Sequence, residues 1–381
     1  MKSMKTQFFL TLIFSMISYF VLGQEKVKTY LYVGSYTGGQ PSEGIYVYDF
    51  DTETGRLTEI ERKDKLVNPS FLCISPNGQF LYACTESKLP QHGNVSSFRI
   101  DRSTGKISFL NKQTTKARNP AHLSVSPNSK HVVASNYTEA SVSTFECAAD
   151  GSLQPIAQFF EFEGSSSVKG RQDKAHLHSS FFSNDGKFVV SPDLGSDKLR
   201  VFSYTEDELL VAREDLTIST KEGSGPRHLV FHPNQPFVYS IEELSGSVAY
   251  YQYKNGKLKW KQSYPSYERE YEIYASADIH ISPDGKFLYA SNRKSENSIS
   301  IFKIHPKKGS LSLIGHSSTF GEIPRSFVID PTGDFLIVAN KISNNLVVFK
   351  RDQNTGLLSK IDEIKGIGSP SSLKMISYDK Q

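Results

Sequence analysis

A unit of about fifty residues recurs along this chain, and a repeat of that length leaves few folds open. Its copies read SFLCISPNGQFLYACTE from Ser70, AHLSVSPNSKHVVASNY from Ala121, HSSFFSNDGKFVVSPDL from His178, RHLVFHPNQPFVYSIEE from Arg227, ADIHISPDGKFLYASNR from Ala277 and RSFVIDPTGDFLIVANK from Arg325. Apolar and β-branched runs on either side of a Pro, Asn, Asp and Gly turn are the pattern of an antiparallel hairpin. The turns are anchored at Pro76, Pro127, Asn184, Pro233, Pro283 and Pro331, spaced 51, 57, 49, 50 and 48 residues apart. Most copies are followed by another strand-like run, such as Ser298 to Ile304, and a turn containing Gly55, Gly105, Gly151, Gly256, Gly309 or Gly356. Each unit therefore holds four short antiparallel strands.

Two half-copies flank the six whole ones: Tyr30 to Tyr36 matches the second strand of the hairpin and Ser369 to Ser377 matches the first. The expected fold is all-β, a closed seven-bladed β-propeller with four antiparallel strands per blade, its last blade made by pairing the N- and C-terminal strands. An open array would leave unpaired edges at both ends, whereas a ring does not. The 19 Tyr and 25 Phe suit strands. Trp260 is the single tryptophan and no Trp-Asp dipeptide occurs, which disfavours WD repeats.

Residues 1–23 read as a signal peptide: Lys2 and Lys5, an apolar run from Phe8 to Leu22, then Gly23. The run is too short and isolated for a membrane span, and Gln24 is not the cysteine of a lipoprotein. Residues 24–381 are then one exported domain, periplasmic or secreted, with no stable membrane insertion and expected to be a monomer. Two of the four units of formal net charge belong to Lys2 and Lys5, and no basic run forms a nucleic-acid patch. Three cysteines remain, with Cys73 expected opposite Tyr82 and not Cys84, so no disulfide framework is expected.

Aligned hairpins place equivalent residues at one height around one axis. Six residues before each anchor stand Ser70, Ala121, His178, Arg227, Ala277, Arg325 and, in the split blade, Ser371. Ten residues after it stand Tyr36, Glu86, Tyr137, Leu194, Glu243, Arg293 and Lys341. One mouth of the channel should thus carry His178, Arg227, Glu243, Arg293 and Arg325, with Tyr36 in the same ring and His176, His228 and Asp193 close by. Arginine offers a planar fork for carboxylate or phosphate, and His and Glu are the usual proton-transfer groups. In the hairpin of His228 to His232 with Phe237 to Ile241, Phe231 is expected opposite Tyr239, which sets Arg227 opposite Glu243. His176 and His178 share one side of a strand, but no third ligand accompanies them, so no metal is expected.

Several of these pieces resemble a known family: Gly223-Ser224-Gly225-Pro226-Arg227-His228, Glu243-Leu244, His176-Leu177-His178, Ser191-Pro192-Asp193-Leu194-Gly195 and Ser291-Asn292-Arg293. The chain is similar over its whole mature length to the seven-bladed propeller lactonases of the bacterial 6-phosphogluconolactonase type, related to fungal carboxymuconate cyclases. The resemblance implies hydrolysis of a sugar lactone without a cofactor, with His178, Arg227, Glu243 and Arg293 catalytic. His176, Asp193, His228, Arg325 and Tyr36 are expected to bind the lactone or sugar acid. The same groups run in reverse would make a lactonising cycloisomerase, and a non-catalytic exported propeller that binds a sugar acid or polysaccharide is the alternative from another class. Two departures stand out: the turn Pro233-Asn234-Gln235-Pro236 lacks the usual glycine, and an exported enzyme would seldom meet a cytoplasmic sugar phosphate.

Overall fold

The computed structural model describes residues 27–38 and 43–379. The signal peptide read over residues 1–23 lies outside them. Each hairpin turn is tied by its own side chains. At Ser282-Pro283-Asp284-Gly285 the Ser282 hydroxyl donates to Asp284 (2.6 Å) and accepts from the Phe287 amide (3.0 Å). Ser75, Ser126 and Ser183 repeat both bonds. In the turn Pro233-Asn234-Gln235-Pro236, His232 replaces the serine. Its Nδ1 accepts from the Asn234 amide (3.1 Å) and its Nε2 donates to the Gly285 carbonyl of the next blade (3.0 Å).

Seven sheets result. Six span residues 71–114, 120–161, 181–219, 226–265, 276–318 and 324–365. The seventh pairs Lys28–Ser35 with Pro370–Tyr378, Thr29 opposite Ser377 and Val33 opposite Leu373, as the two half-copies require. The third blade has five strands, because Leu209–Ala212 and Ile218–Ser219 share its outer position. Its innermost strand is cut to Phe181–Phe182, with a single bridge between Leu177 and Asp193. No helix of the described residues is long and apolar enough to cross a membrane.

The core is divided into seven seams, each an apolar cluster drawn from two neighbouring blades. Second strands such as Phe287–Asn292 and Phe335–Asn340 are buried on both faces between blades, hence their unbroken apolar runs. A glycine fits one blade to the next at six of the seven joints, and Leu209, with φ 59°, takes its place in the third blade. Gly356 has φ 79°, and a Cβ there would meet the Phe287 ring at 2.5 Å, while the Tyr289 hydroxyl donates to the Gly356 carbonyl (2.8 Å). Gly105 stands likewise against Tyr30 and accepts from Tyr32 (2.9 Å), so the joint between the closing blade and the first uses the same contact as the interior joints.

The hairpin register differs from expectation by one residue. The His232 amide bonds the Phe237 carbonyl (2.9 Å), so four residues form the turn and Phe231 lies opposite Val238, not Tyr239. The ladder then skips Arg227 and resumes with Pro226 opposite Glu242, so Arg227 and Glu243 are not ladder partners. Ala121, Ala277 and Arg325 fall in the matching irregularities of their own strands. A bulge re-aims the residue it releases, and Ala121 and Arg325 thereby line the channel mouth while Arg227, expected there, stays buried behind it. Cys73 does lie opposite Tyr82, and all three cysteines are free.

Candidate active site

A cavity of about 200 Å³ opens at the mouth where the innermost strands begin. His178, Glu243, Arg293 and Arg325 line it as expected, joined by Lys88, Arg171 and the neutral Asn119, Ala121 and Tyr137. A larger hollow of about 850 Å³ lies beside the turn-side end of the closing blade, against Asn77, Arg102 and Tyr378. That hollow contains no histidine and no buried acid, so the chemistry favours the smaller cavity.

Glu243 is the centre of the smaller site. Arg171 Nη2 reaches its Oε1 (2.6 Å), and Arg227 Nε and Arg293 Nη2 both lie 2.9 Å from its Oε2. Arg227 thus reaches Glu243 through the length of its side chain, although the ladder does not pair them. Burial alone would raise the Glu243 carboxyl, but Arg293, Arg227 and Arg171 outweigh it and hold Glu243 far below the usual carboxylate range. The guanidiniums are fixed in turn by backbone. Arg293 donates to the carbonyls of Ala275 (2.7 Å) and Ser276 (3.1 Å), and Arg227 donates to that of Ala277.

His178 forms part of the same wall, and its Nδ1 is buried without a hydrogen-bond partner. Burial first, then the charges of Arg227 and the other arginines, push its pKa well below 6.5, so the ring is neutral at physiological pH. Beneath it lies His228, whose ring centroid is 5.2 Å away. His228 Nδ1 lies 2.9 Å from Asp278 Oδ1 and its Nε2 lies 3.3 Å from Arg227 Nη1, which orders a line from Asp278 through His228 and Arg227 to Glu243. Burial brings His228 down to about 3, so it too is neutral.

The other expected residues are placed differently. His176 stacks on Tyr137 (centroids 4.4 Å, planes 8° apart) and supports the wall from behind. Asp193 does not line the cavity. It is fully buried, paired with Arg200 (2.8 Å), and accepts from the His176 amide (2.9 Å), so it braces the segment before Phe181–Phe182 that carries both histidines. Tyr36 is buried beside Arg325, Lys88 and Lys341, whose charged groups lie 5.7, 4.6 and 4.8 Å from its ring.

Arg171, Lys88 and Asp197 were not foreseen. Asp197 accepts from the amides of Gly223 (2.6 Å) and Gly225 (2.7 Å) and from the Ser166 hydroxyl (2.6 Å). One carboxylate therefore ties the Gly-Ser-Gly-Pro turn before Arg227 to the loop that presents Arg171. Gly225 has φ 63° and a Cβ there would strike Leu244, so that turn needs its glycine.

Residues 30–375 match the family described as lactonase, 7-bladed beta-propeller. The chain belongs to the seven-bladed β-propeller lactonases. It is 46% identical over 352 residues to a 6-phosphogluconolactonase of Formosa agariphila, covering 91% of this chain and 99% of the relative. The 6-phosphogluconolactonase of Bacillus subtilis is 34% identical, covering 91% and 97%. The periplasmic gluconolactonase of Pseudomonas aeruginosa superposes with a TM-score of 0.87 at 33% identity, covering 92% of this chain and 99% of that one. Among the described residues of this lactonase, no three His, Cys, Asp or Glu side chains gather as a metal site would need.

Proposed function

We propose that this protein hydrolyses a sugar lactone to its hydroxy acid at the Glu243 cavity. The observation that carries this reading is one small cavity joining an unpartnered neutral imidazole to guanidiniums anchored on a buried carboxylate. Relatives named 6-phosphogluconolactonase and gluconolactonase support it. His178 takes a proton from a water as that water attacks the ester carbonyl. Arg293, held by the Ala275 and Ser276 carbonyls, stabilises the oxyanion, which is worth most where the donor is already fixed. Collapse breaks the bond to the ring oxygen, and His178 returns its proton to that oxygen. The negative charge of the intermediate raises the basicity of His178 at the moment it is needed. Glu243 is too acidic to serve as the base at neutral pH. Its part is to aim Arg171, Arg227 and Arg293.

Purified protein given gluconolactone, phosphorylated gluconolactone and other lactones should release protons above the spontaneous rate with at least one of them. Silence across the set would remove the hydrolase reading and leave a binding propeller. Because the His178 pKa lies below 6.5, its neutral form persists on acidification, and kcat/KM should reach half its plateau only below pH 6.5. A midpoint at or above 6.5 would assign the base elsewhere. The leader pattern and the periplasmic relative together support export, for which the N terminus of the protein isolated from its host should begin near Gln24.

A further inference from the structure

We propose that Asp278 is a positioning residue of this site: through His228 it fixes the one imidazole tautomer that can hold the Arg227 guanidinium against Glu243. This rests on the lactone-hydrolase reading and extends it to residues that do not line the cavity. Asp278 lies on the innermost strand of the fifth blade and His228 on that of the fourth, and both are buried. One Asp278 oxygen takes His228 Nδ1 (2.9 Å) and the Ile279 amide (3.1 Å). The other takes the Phe327 amide (3.3 Å) and stands 3.3 Å from His280 Nε2. The Asp278 amide donates to the Ser291 hydroxyl (3.0 Å), which ties it to the strand that leads into Arg293.

The tautomer follows from the two neighbours of the ring. Burial would raise the Asp278 carboxyl, but His280 and His228 bring it well below the carboxylate range, so it is an anion that can only accept. His228 Nδ1 must then carry the proton of the neutral ring. An arginine can only donate, so Nε2, 3.3 Å from Arg227 Nη1, must be the bare nitrogen. One neutral tautomer meets both demands, and the other would set N–H against N–H. The ring has no room to turn away, because Phe71, His122, His178 and Phe181 surround it with centroids 6.1, 5.4, 5.2 and 5.9 Å off. Arg227 in turn places Nη1 on the Ala277 carbonyl and Nε 2.9 Å from Glu243 Oε2, the oxygen that Arg293 shares. A guanidinium displaced at Nη1 therefore moves the carboxylate that aims the oxyanion donor.

The experiment measures kcat and KM of Asp278→Asn on the lactone that wild-type protein hydrolyses fastest, together with the ring nitrogen and proton NMR signals of histidine-labelled protein. An asparagine amide can offer N–H to Nδ1, which frees the ring to take the wrong tautomer. The fall in kcat should be roughly 10–100-fold, as when a group that orients a functional side chain from behind is removed. KM should stay within about twofold, because no contact to the substrate is lost. Wild-type His228 should carry a slowly exchanging proton on Nδ1, which in the variant moves to Nε2 or divides between the two. A role in stability alone would lower the melting temperature and leave kcat and the tautomer unchanged. His228→Gln and His228→Asn give a second test that does not need Asp278→Asn to fold. The glutamine oxygen reaches the place where Nε2 accepts from Arg227, whereas the shorter asparagine reaches only Asp278. Glutamine should keep a kcat about tenfold above that of asparagine, the worth of a hydrogen bond to a charged group. A wild-type ring protonated on Nε2, an Asp278→Asn kcat within about threefold of wild type, or equal kcat in the two His228 variants overturns the proposal while lactone hydrolysis stands. Wild-type protein inert to every lactone defeats the hydrolase reading instead, and the Nδ1 proton then still decides whether Asp278 orients His228.

Discussion

Replacing Glu243 with glutamine is expected to lower kcat/KM on the best lactone by roughly 10²–10³-fold, the loss seen when a fixed oxyanion donor is removed. The glutamine keeps the shape but not the charge, so Arg171, Arg227 and Arg293 repel one another and leave their places. Stability should fall as well. An exposed ion pair contributes about 1 kcal/mol or less. Glu243 is instead 7% exposed and Arg227 1%, and a buried charge stripped of its partner costs about 3–5 kcal/mol. The lower part of that range is expected, because half-buried Arg171 can turn to water. Rates must therefore be read well below the melting temperature of the variant. Arg171→Gln is the control that separates the two effects: it spares the fold and should still cost about tenfold in activity. A folded Glu243→Gln protein within a few-fold of wild type would detach this cluster from the reaction.

Removing residues 370–381 should abolish cooperative folding of the whole chain. The strand Pro370–Tyr378 is the innermost of the closing blade and pairs with Lys28–Ser35 along its length. It also fills two seams, Leu373 on the side of the sixth blade and Tyr378 on the side of the first. Without it the N-terminal strand becomes an open edge at the channel, and two of seven clusters lose their inner wall. The Tyr378 hydroxyl bond to the Gly78 carbonyl (2.6 Å), a link across 300 residues, goes with it. A truncated chain with a sharp melt and native near-ultraviolet circular dichroism would show that six blades and a fragment suffice, against this expectation.

Much of the mouth was legible because the repeat supplies its own ruler. His178, Glu243, Arg293 and Arg325 were found by counting from turn anchors, and all four line one cavity. The count succeeded even though the hairpin register was read one residue off, since the irregularity at Arg325 frees its side chain for the mouth and the one at Arg227, which does not itself line the cavity, lets its guanidinium reach Glu243. Asp193 shows the limit of proximity in sequence. It lies next to the column, but it is turned into the blade against Arg200. Arg171 and Lys88 had no column at all, for Arg171 stands on a connection between blades and Lys88 on a loop between two strands of one blade, where no repeat sets the height of a residue.

By itself the sequence determined the number of blades, the strand order within them and the way the ring closes, because those depend on periodic apolar patterning and on turn chemistry that each hairpin carries locally. Tertiary structure alone decided the state of the groups at the mouth. Glu243 is an anion with three partners and not a base, and His178 is neutral and unpartnered, because burial and the charges of distant blades set both. Those charges come together from loops up to 122 residues apart, Arg171 and Arg293, and no local pattern encodes a distance across a channel.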